Sequence, residues 1–426
     1  MKKIVIIGGG FAGLSAASFL SDEGFKIELL EASPKPGGRA YSFVDNETGD
    51  VIDNGQHILM GCYNETLNFF KLIGASDNVS KQSRLSLNFV KQNFELCPLQ
   101  ASGSFYPFNL LSAVFSYSAI SFYEKVLLIK FFANIYLYTD MDLKKLTVFE
   151  WLIKGKQTAN LINSFWEILA VAALNTDIKK ASAFIFASVL KRIFFSGNDA
   201  PVIILPSSGL SETYCNNALK YIENKDGIIS LSEPVIRLTT QNNVIKEIVT
   251  AKRIISDFDY IISAIPLYAL NKIWDANNFL SGFELDYSSI LTAHLFLKEN
   301  KIAGTYYGLI NSPVQWVFNK GSHLTVVISN ADKFIDIPKE EIIDIILCEL
   351  KKYILLDKNE IKTYRIIKEK RAAFIPSNNI LDKRPSTHTQ FKNLFLAGDW
   401  TDTGLPATIE SAVTSGRLAA DAIRNY

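Results

Sequence analysis

The stretch KKIVIIGGGFAGLSAASFLSDEGFKIELLEA, residues 2–32, decides the architecture. Ile4 to Ile7 form an unbroken apolar, β-rich run, the pattern of a short strand. Gly8-x-Gly10-x-x-Gly13 follows at once, and Leu14, Ala17, Ser18 and Leu20 then recur at helical spacing until Gly24. KIELLEA, 26–32, reads as a second strand ending at Glu31. Two parallel strands joined by a helix require a right-handed crossover, so a βαβ unit is predicted.

The glycines acquire chemistry from that context. Gly8 permits a tight turn, Gly10 lets backbone approach a pyrophosphate, and Gly13 lets the helix meet the strand. The helix N-terminus adds free amides and the positive end of a dipole. Glu31 lies where a carboxylate accepts hydrogen bonds from a ribose 2′-hydroxyl and repels a 2′-phosphate. PKPGGRAYS, 34–42, places Arg39 behind a second glycine pair, in reach of diphosphate or flavin oxygens, which favours FAD over NAD. The fold class is therefore α/β, with a Rossmann-like nucleotide-binding domain.

At 426 residues the chain exceeds the size of one ordinary core, and two domains are expected. Residues 41–57 read as a hairpin turning at Asp45, Asn46 and Gly49, and 63–74 as a helix closed by Gly74. Helical patterns dominate 105–195. A helix follows at 210–227, then a hairpin at 234–250 turning on Gln241-Asn242-Asn243, and a strand at 258–266. Several strands are expected over 286–330, a helix over 338–354, a strand over 362–370, and a closing strand and helix from 393. Nucleotide-binding texture thus occupies 1–75, 205–270 and 385–426, interleaved with an α+β substrate domain at 76–204 and 271–384.

Composition excludes several classes. With 44 basic and 43 acidic residues and no basic stretch interleaved with aromatics, nucleic acid is not a predicted partner. Cys62, Cys97, Cys215 and Cys348 are scattered without metal-ligand spacing, as are the four histidines, so no metal site is expected. The apolar run after Lys2-Lys3 breaks at the glycines, which reads as a strand rather than a signal peptide and predicts a cytoplasmic protein. Neither a G-x-S-x-G elbow nor an H-E-x-x-H motif is present.

The glycine fingerprint, Glu31 and Gly37-Gly38-Arg39 together resemble the flavin-dependent amine oxidase and phytoene desaturase superfamily. Closer still, DNGQHILMGCYNETLNFFKLIG (53–74), PVQWVFNKG (313–321) and FLAGDWTDTGLPATIESAVTSGRLAADAI (395–423) are similar to the hydroxysqualene dehydroxylases, FAD enzymes of bacterial squalene and hopanoid synthesis. The resemblance implies FAD contacts from Gly8, Gly10, Phe11, Ala12, Gly13, Glu31, Ala32, Gly38, Arg39, Gly55, Gln56, His57 and Val235. It also implies that Gly398-Asp399 meets the flavin's ribityl or phosphate region, and that the amides of Thr408 and Ile409 face the isoalloxazine ring. Pro406 suits the first turn of that last helix, whose apolar face runs through Ile409, Ala412, Val413, Gly416, Ala420 and Ile423.

The implied reaction is reductive removal of the allylic hydroxyl of hydroxysqualene, with a hydride from reduced FAD. Its proton donor is open between His57, Asp402 and bound water, and His57 reads equally well as a structural residue. His294, His323 and His388 read as structural or surface residues. A carotenoid-type desaturase, an amine oxidase and a non-catalytic FAD-binding scaffold are the alternatives. Residues 105–138 are thick with aromatics but interrupted by Glu124, Lys125 and Lys130, which fits a core helix or a membrane-dipping surface better than a span. A thirty-carbon isoprenoid partitions into bilayers, so peripheral contact with the inner face of the cytoplasmic membrane is expected, or delivery by a partner such as a squalene-synthase-like enzyme.

Overall fold

The structure, a computed structural model, describes residues 1–274, 280 and 282–426. At its centre lies a five-stranded sheet in the order Ile228–Ser230, Lys26–Leu30, Lys3–Ile7, Tyr260–Ser263, Leu394–Leu396. All four pairings are parallel, with Ile6 opposite Leu29 on one side and Ile262 on the other, and Ile262 opposite Phe395. Ile4 and Tyr260, 256 positions apart, are therefore neighbours in one sheet.

Alternation along the first strand sorts its side chains. Ile4 and Ile6 pack on one face with Leu14, Phe69, Phe395 and Val413, under the helices Phe11–Asp22 and Ile409–Arg424. Val5 and Ile7 pack on the other with Leu238, Ile245 and Ile248 of a small three-stranded sheet. That sheet contains the expected hairpin, Val235–Gln241 and Val244–Thr250, whose turn residues Asn242 and Asn243 take φ of 52° and 57°. The two helices approach closely because both are lined with small residues. A Cβ on Gly416 would lie 2.5 Å from the carbonyl oxygen of Ala12 and 2.3 Å from Ser15 Oγ.

A second, seven-stranded sheet runs Ile361–Phe374, Tyr287–Leu297, His323–Ser329, Trp316–Asn319, Tyr306–Leu309, Ser86–Lys91, Glu95–Gln100. One face packs on the helix Lys339–Leu350 through Leu291, Leu295, Val326 and Ile346. The other, with Phe89, Trp316 and Phe318, meets the helical layer of residues 108–194. The hairpin over 86–100 has no counterpart in the sequence reading, and the strand expected over 362–370 extends to Phe374. The edge strand Glu95–Gln100 does not alternate cleanly in sequence because apolar Leu96 is 52% exposed on the face opposite buried Cys97 and Leu99.

The helix Phe108–Ser116 starts without a side-chain cap, whereas those beginning at Phe122 and Val148 start at explicit caps. Ser121 Oγ accepts from the Glu124 amide at 3.3 Å while the Glu124 carboxylate accepts from the Ser121 amide at 2.8 Å, and Thr147 and Glu150 repeat the arrangement. Glu124 is buried and also accepts from Thr158 Oγ1 and Asn160 Nδ2, so the charge that interrupts the apolar run is an internal tie. Among the described residues no helix is long and apolar enough to cross a membrane. The terminal helix begins at Ile409 rather than at Pro406. Thr408, extended at φ −134°, caps it by accepting from the Ser411 amide at 3.1 Å, and Pro406 stands two residues before that cap.

Candidate active site

The glycine loop sits between the first strand, the first helix and the end of the strand Tyr260–Ser263. Gly8 takes φ of +108°, and a Cβ there would meet Ala264 O at 2.9 Å; a Cβ on Gly13 would lie 1.8 Å from Gly8 O. Gly10 differs: the nearest atom to a Cβ would be Gly38 Cα at 3.8 Å, and a Cβ on Gly38 would lie 3.2 Å from Gly10 Cα, so the two glycine turns meet in backbone contact. Glu31 accepts from the amides of Gly9 at 2.6 Å and Ser33 at 2.8 Å, fastening the loop to the second strand. Each carboxylate oxygen keeps capacity for a further donor such as a ribose hydroxyl.

The other expected residues distribute unevenly. The Phe11 ring is buried and stacked on Tyr214 at 3.7 Å, which leaves only its backbone for a ligand. Ala12 is buried at the helix crossing, Ala32 is exposed, and Val235 is half-buried beside the cluster holding Ile7 and Leu30. Tyr214 also donates to the carbonyls of Gly37 and Ala40 at 3.1 and 2.8 Å, which fixes the second glycine turn.

Arg39 links the two ends of the chain. Its Nη2 donates to Asp399 Oδ1 at 2.6 Å and its Nη1 to the Ala372 carbonyl at 2.8 Å. Desolvation works against the Arg39 charge, but the Asp399 carboxylate outweighs it and holds the guanidinium more firmly protonated than usual. Gly398 takes φ of +136°, and its amide donates to Ser415 Oγ at 2.7 Å, which ties the Gly-Asp turn to the terminal helix. Sequence reasoning passed over Arg384. Buried, it donates to the carbonyls of Asp399, Thr401 and Leu405, and burial lowers its pKa to about 10. It shapes the loop that carries Asp399 to the helix cap.

His57 lies one residue beyond Gln56, whose Oε1 is buried without a hydrogen-bond partner among the described residues. Thr292 Oγ1 is in the same condition, 3.7 Å from where a Gly55 Cβ would be. His57 Nδ1 lies 2.8 Å from the Gly55 carbonyl, which can only accept; Nδ1 therefore carries the hydrogen, leaving the Nε2 lone pair free. Burial lowers its pKa, Asp53 opposes, and Arg39 and Lys320 lower it further. His57 is thus neutral near pH 7 and suited to accept rather than supply a proton. His294 and His323 stand close by, their rings 5.2 Å apart.

Beyond this wall opens a cavity of about 430 Å³ lined almost wholly by hydrocarbon, including Leu87, Phe89, Leu110, Phe132 and Ile168. Its boundary also includes Ile58, Tyr63, Pro406, Thr408 and Glu410, from the two segments that frame the expected flavin ring. Asp402 is exposed and is not among the lining residues, whereas Glu410 is buried on the wall. Burial pushes the Glu410 pKa up, against hydrogen bonds from the Thr66 hydroxyl and the amides of Thr66 and Glu65. Glu410 falls inside a quoted motif, yet nothing in the motif distinguishes its environment from that of Asp402.

The residues present fit FAD. Two glycine turns bring backbone free of side chains to the start of the first helix, amides of the first turn of the helices at Phe11 and Ile409 lack intrahelical partners, and polar atoms without a partner among the described residues flank the expected ring position. Sheet, groove and apolar cavity together define a flavin-dependent oxidoreductase with a two-domain FAD-binding fold. The chain belongs to the flavin containing amine oxidoreductase family, whose model matches residues 11–424, and its cofactor is FAD. The hydroxysqualene dehydroxylases of Sinorhizobium fredii and Rhodopseudomonas palustris are 30% and 28% identical to it, each match covering 99% of this chain and 98% of the relative. A 15-cis-phytoene desaturase from an Oncidium hybrid cultivar is 26% identical over 99% of this chain and 77% of its own length. Among solved structures, an oxidoreductase from Methanosarcina mazei matches the whole of both chains with a TM-score of 0.74 at 16% identity.

Proposed function

We propose that the chain carries out the reductive dehydroxylation of hydroxysqualene to squalene and water in bacterial squalene and hopanoid synthesis. The observation that carries this reading is the hydrocarbon-lined cavity with its few polar groups, Thr408 and Glu410 among them, at the cofactor end. In the reaction an allylic C–O bond breaks, a C–H bond forms, and the oxygen leaves as water after gaining a proton. Bound reduced FAD supplies the hydride. The protein aligns the allylic carbon and excludes water that would recapture a developing cation. Glu410, on the cavity wall with a raised pKa, takes the proton-donor role in place of Asp402. His57, neutral and with Nε2 available, serves to position the ring.

The cavity opens among the helices of residues 105–138, whose outer faces expose Phe105, Phe108, Phe122, Tyr123 and Leu137. That surface rests on the membrane, from which the isoprenoid enters. A polyene desaturase would use the same apolar lining and run hydride transfer in the opposite direction, but it has no need of polar groups at the flavin end. Anaerobic incubation of chemically reduced enzyme with hydroxysqualene is expected to give squalene with flavin reoxidation. Absence of squalene there, together with flavin reduction by a partly saturated polyene, would replace the dehydroxylase with the desaturase.

A further inference from the structure

Tyr63 is the half-buried residue immediately before the helix Asn64–Leu72, and it packs against both the core beneath the parallel sheet and the core around the cavity. It therefore stands at the boundary between the cofactor half and the hydrocarbon half of the site. Its side chain lines the cavity, and its phenol oxygen has no hydrogen-bond partner among the described residues. Tyr306, which also lines the cavity, differs: its hydroxyl donates to the Ser86 carbonyl at 2.7 Å and accepts from Gln82. A phenol kept in an apolar enclosure with no internal partner has an unmet hydrogen bond, and the cavity lining supplies no other reason for it.

We propose that the Tyr63 hydroxyl donates a hydrogen bond to the alcohol oxygen of the bound isoprenoid, so that Tyr63 selects the hydroxylated substrate over the hydrocarbon product and holds the C–O bond at the cofactor end. The inference rests on the dehydroxylase reading. Burial, reinforced by Cys62 and Glu410, pushes the phenol pKa up, so Tyr63 keeps its proton throughout and acts as a donor only. Glu410 on the same wall remains the group whose proton leaves with the oxygen. Once the oxygen has departed as water, squalene offers no acceptor and loses the contact, which favours product release.

The test compares flavin-loaded wild type with Tyr63→Phe, keeping the flavin oxidised so that no turnover occurs. Equilibrium binding of hydroxysqualene and of squalene is followed by perturbation of the flavin spectrum. Wild type is expected to prefer the alcohol, and Tyr63→Phe to weaken alcohol binding by roughly five- to tenfold with squalene binding and flavin content unchanged. Undiminished preference for the alcohol in Tyr63→Phe, or equal loss of both ligands, overturns the assignment. Wild type that binds the alcohol no better than squalene overturns it as well. Wild type that binds neither isoprenoid sinks the substrate reading and this inference with it.

Discussion

Gly10 and Gly13, three positions apart, stand in different surroundings. A methyl group on Gly13 would collide with the Gly8 carbonyl at 1.8 Å, backbone against backbone, where neither partner can yield. Gly13→Ala is therefore expected to cost about 3 kcal/mol of stability even in flavin-free protein, measured by denaturant unfolding. A methyl group on Gly10 would lie 3.8 Å from its nearest neighbour among the described residues, Gly38 Cα, in ordinary contact with the second glycine turn. Gly10→Ala should leave flavin-free stability within about 1 kcal/mol of wild type while the protein fails to retain FAD. Equal FAD content in the two proteins would remove Gly10 from the cofactor groove. The close packing at Gly13 was legible in the sequence, since a glycine fingerprint between strand and helix has few physical readings. Glu410 was not legible as a site residue, because burial on a cavity wall is a property of the neighbours that the fold brings to it.

At the level of strands and helices, the hairpin of 242–243 and the terminal helix were legible from turn residues and periodicity, while the 86–100 hairpin was hidden because apolar Leu96 stands on its exposed face. The strand pair Tyr287–Leu297 and His323–Ser329 carries a consequence for pH. His294 Nε2 donates to the Asp53 carbonyl at 2.9 Å and Nδ1 accepts from Thr325 at 3.1 Å, an arrangement that fits a neutral ring. Burial, with His323 next in weight, lowers its pKa to about 4. The unfolded chain then binds a proton near pH 6.5 that the folded chain refuses, so stability is full above that pH and declines as pH falls toward 4. The loss from His294 is on the order of 3 kcal/mol, and the lowered values of His57 and His323 act in the same direction. Calorimetry between pH 7.5 and 4.5 should show His294→Gln declining less steeply than wild type. An identical acid slope in the variant would assign the loss to other groups.

For the molecule as a whole, the central fact is that distant segments close on one another. Arg39 meets Asp399 across 360 residues, and Leu110 and Val114 on the cavity wall lie in the same stretch of chain as the aromatic pairs Phe105–Phe108 and Phe115–Phe122, with ring centroids 5.2 and 6.3 Å apart. If that surface rests on lipid, Phe105→Ser with Phe122→Ser should lower cosedimentation with anionic phospholipid vesicles roughly tenfold or more while FAD content is unchanged. Vesicle binding equal to wild type would leave the patch without a membrane role. The sequence by itself determined the βαβ start, the FAD-type groove and the second Gly-Asp turn, because each depends on local backbone freedom and short-range periodicity. Tertiary structure alone decided that Glu410 rather than Asp402 faces the cavity, that His57 is neutral, and that Tyr63 stands between two cores with its hydroxyl unpaired among the described residues. Those properties arise from desolvation and from partners hundreds of residues away, and neither is written in any one stretch of chain.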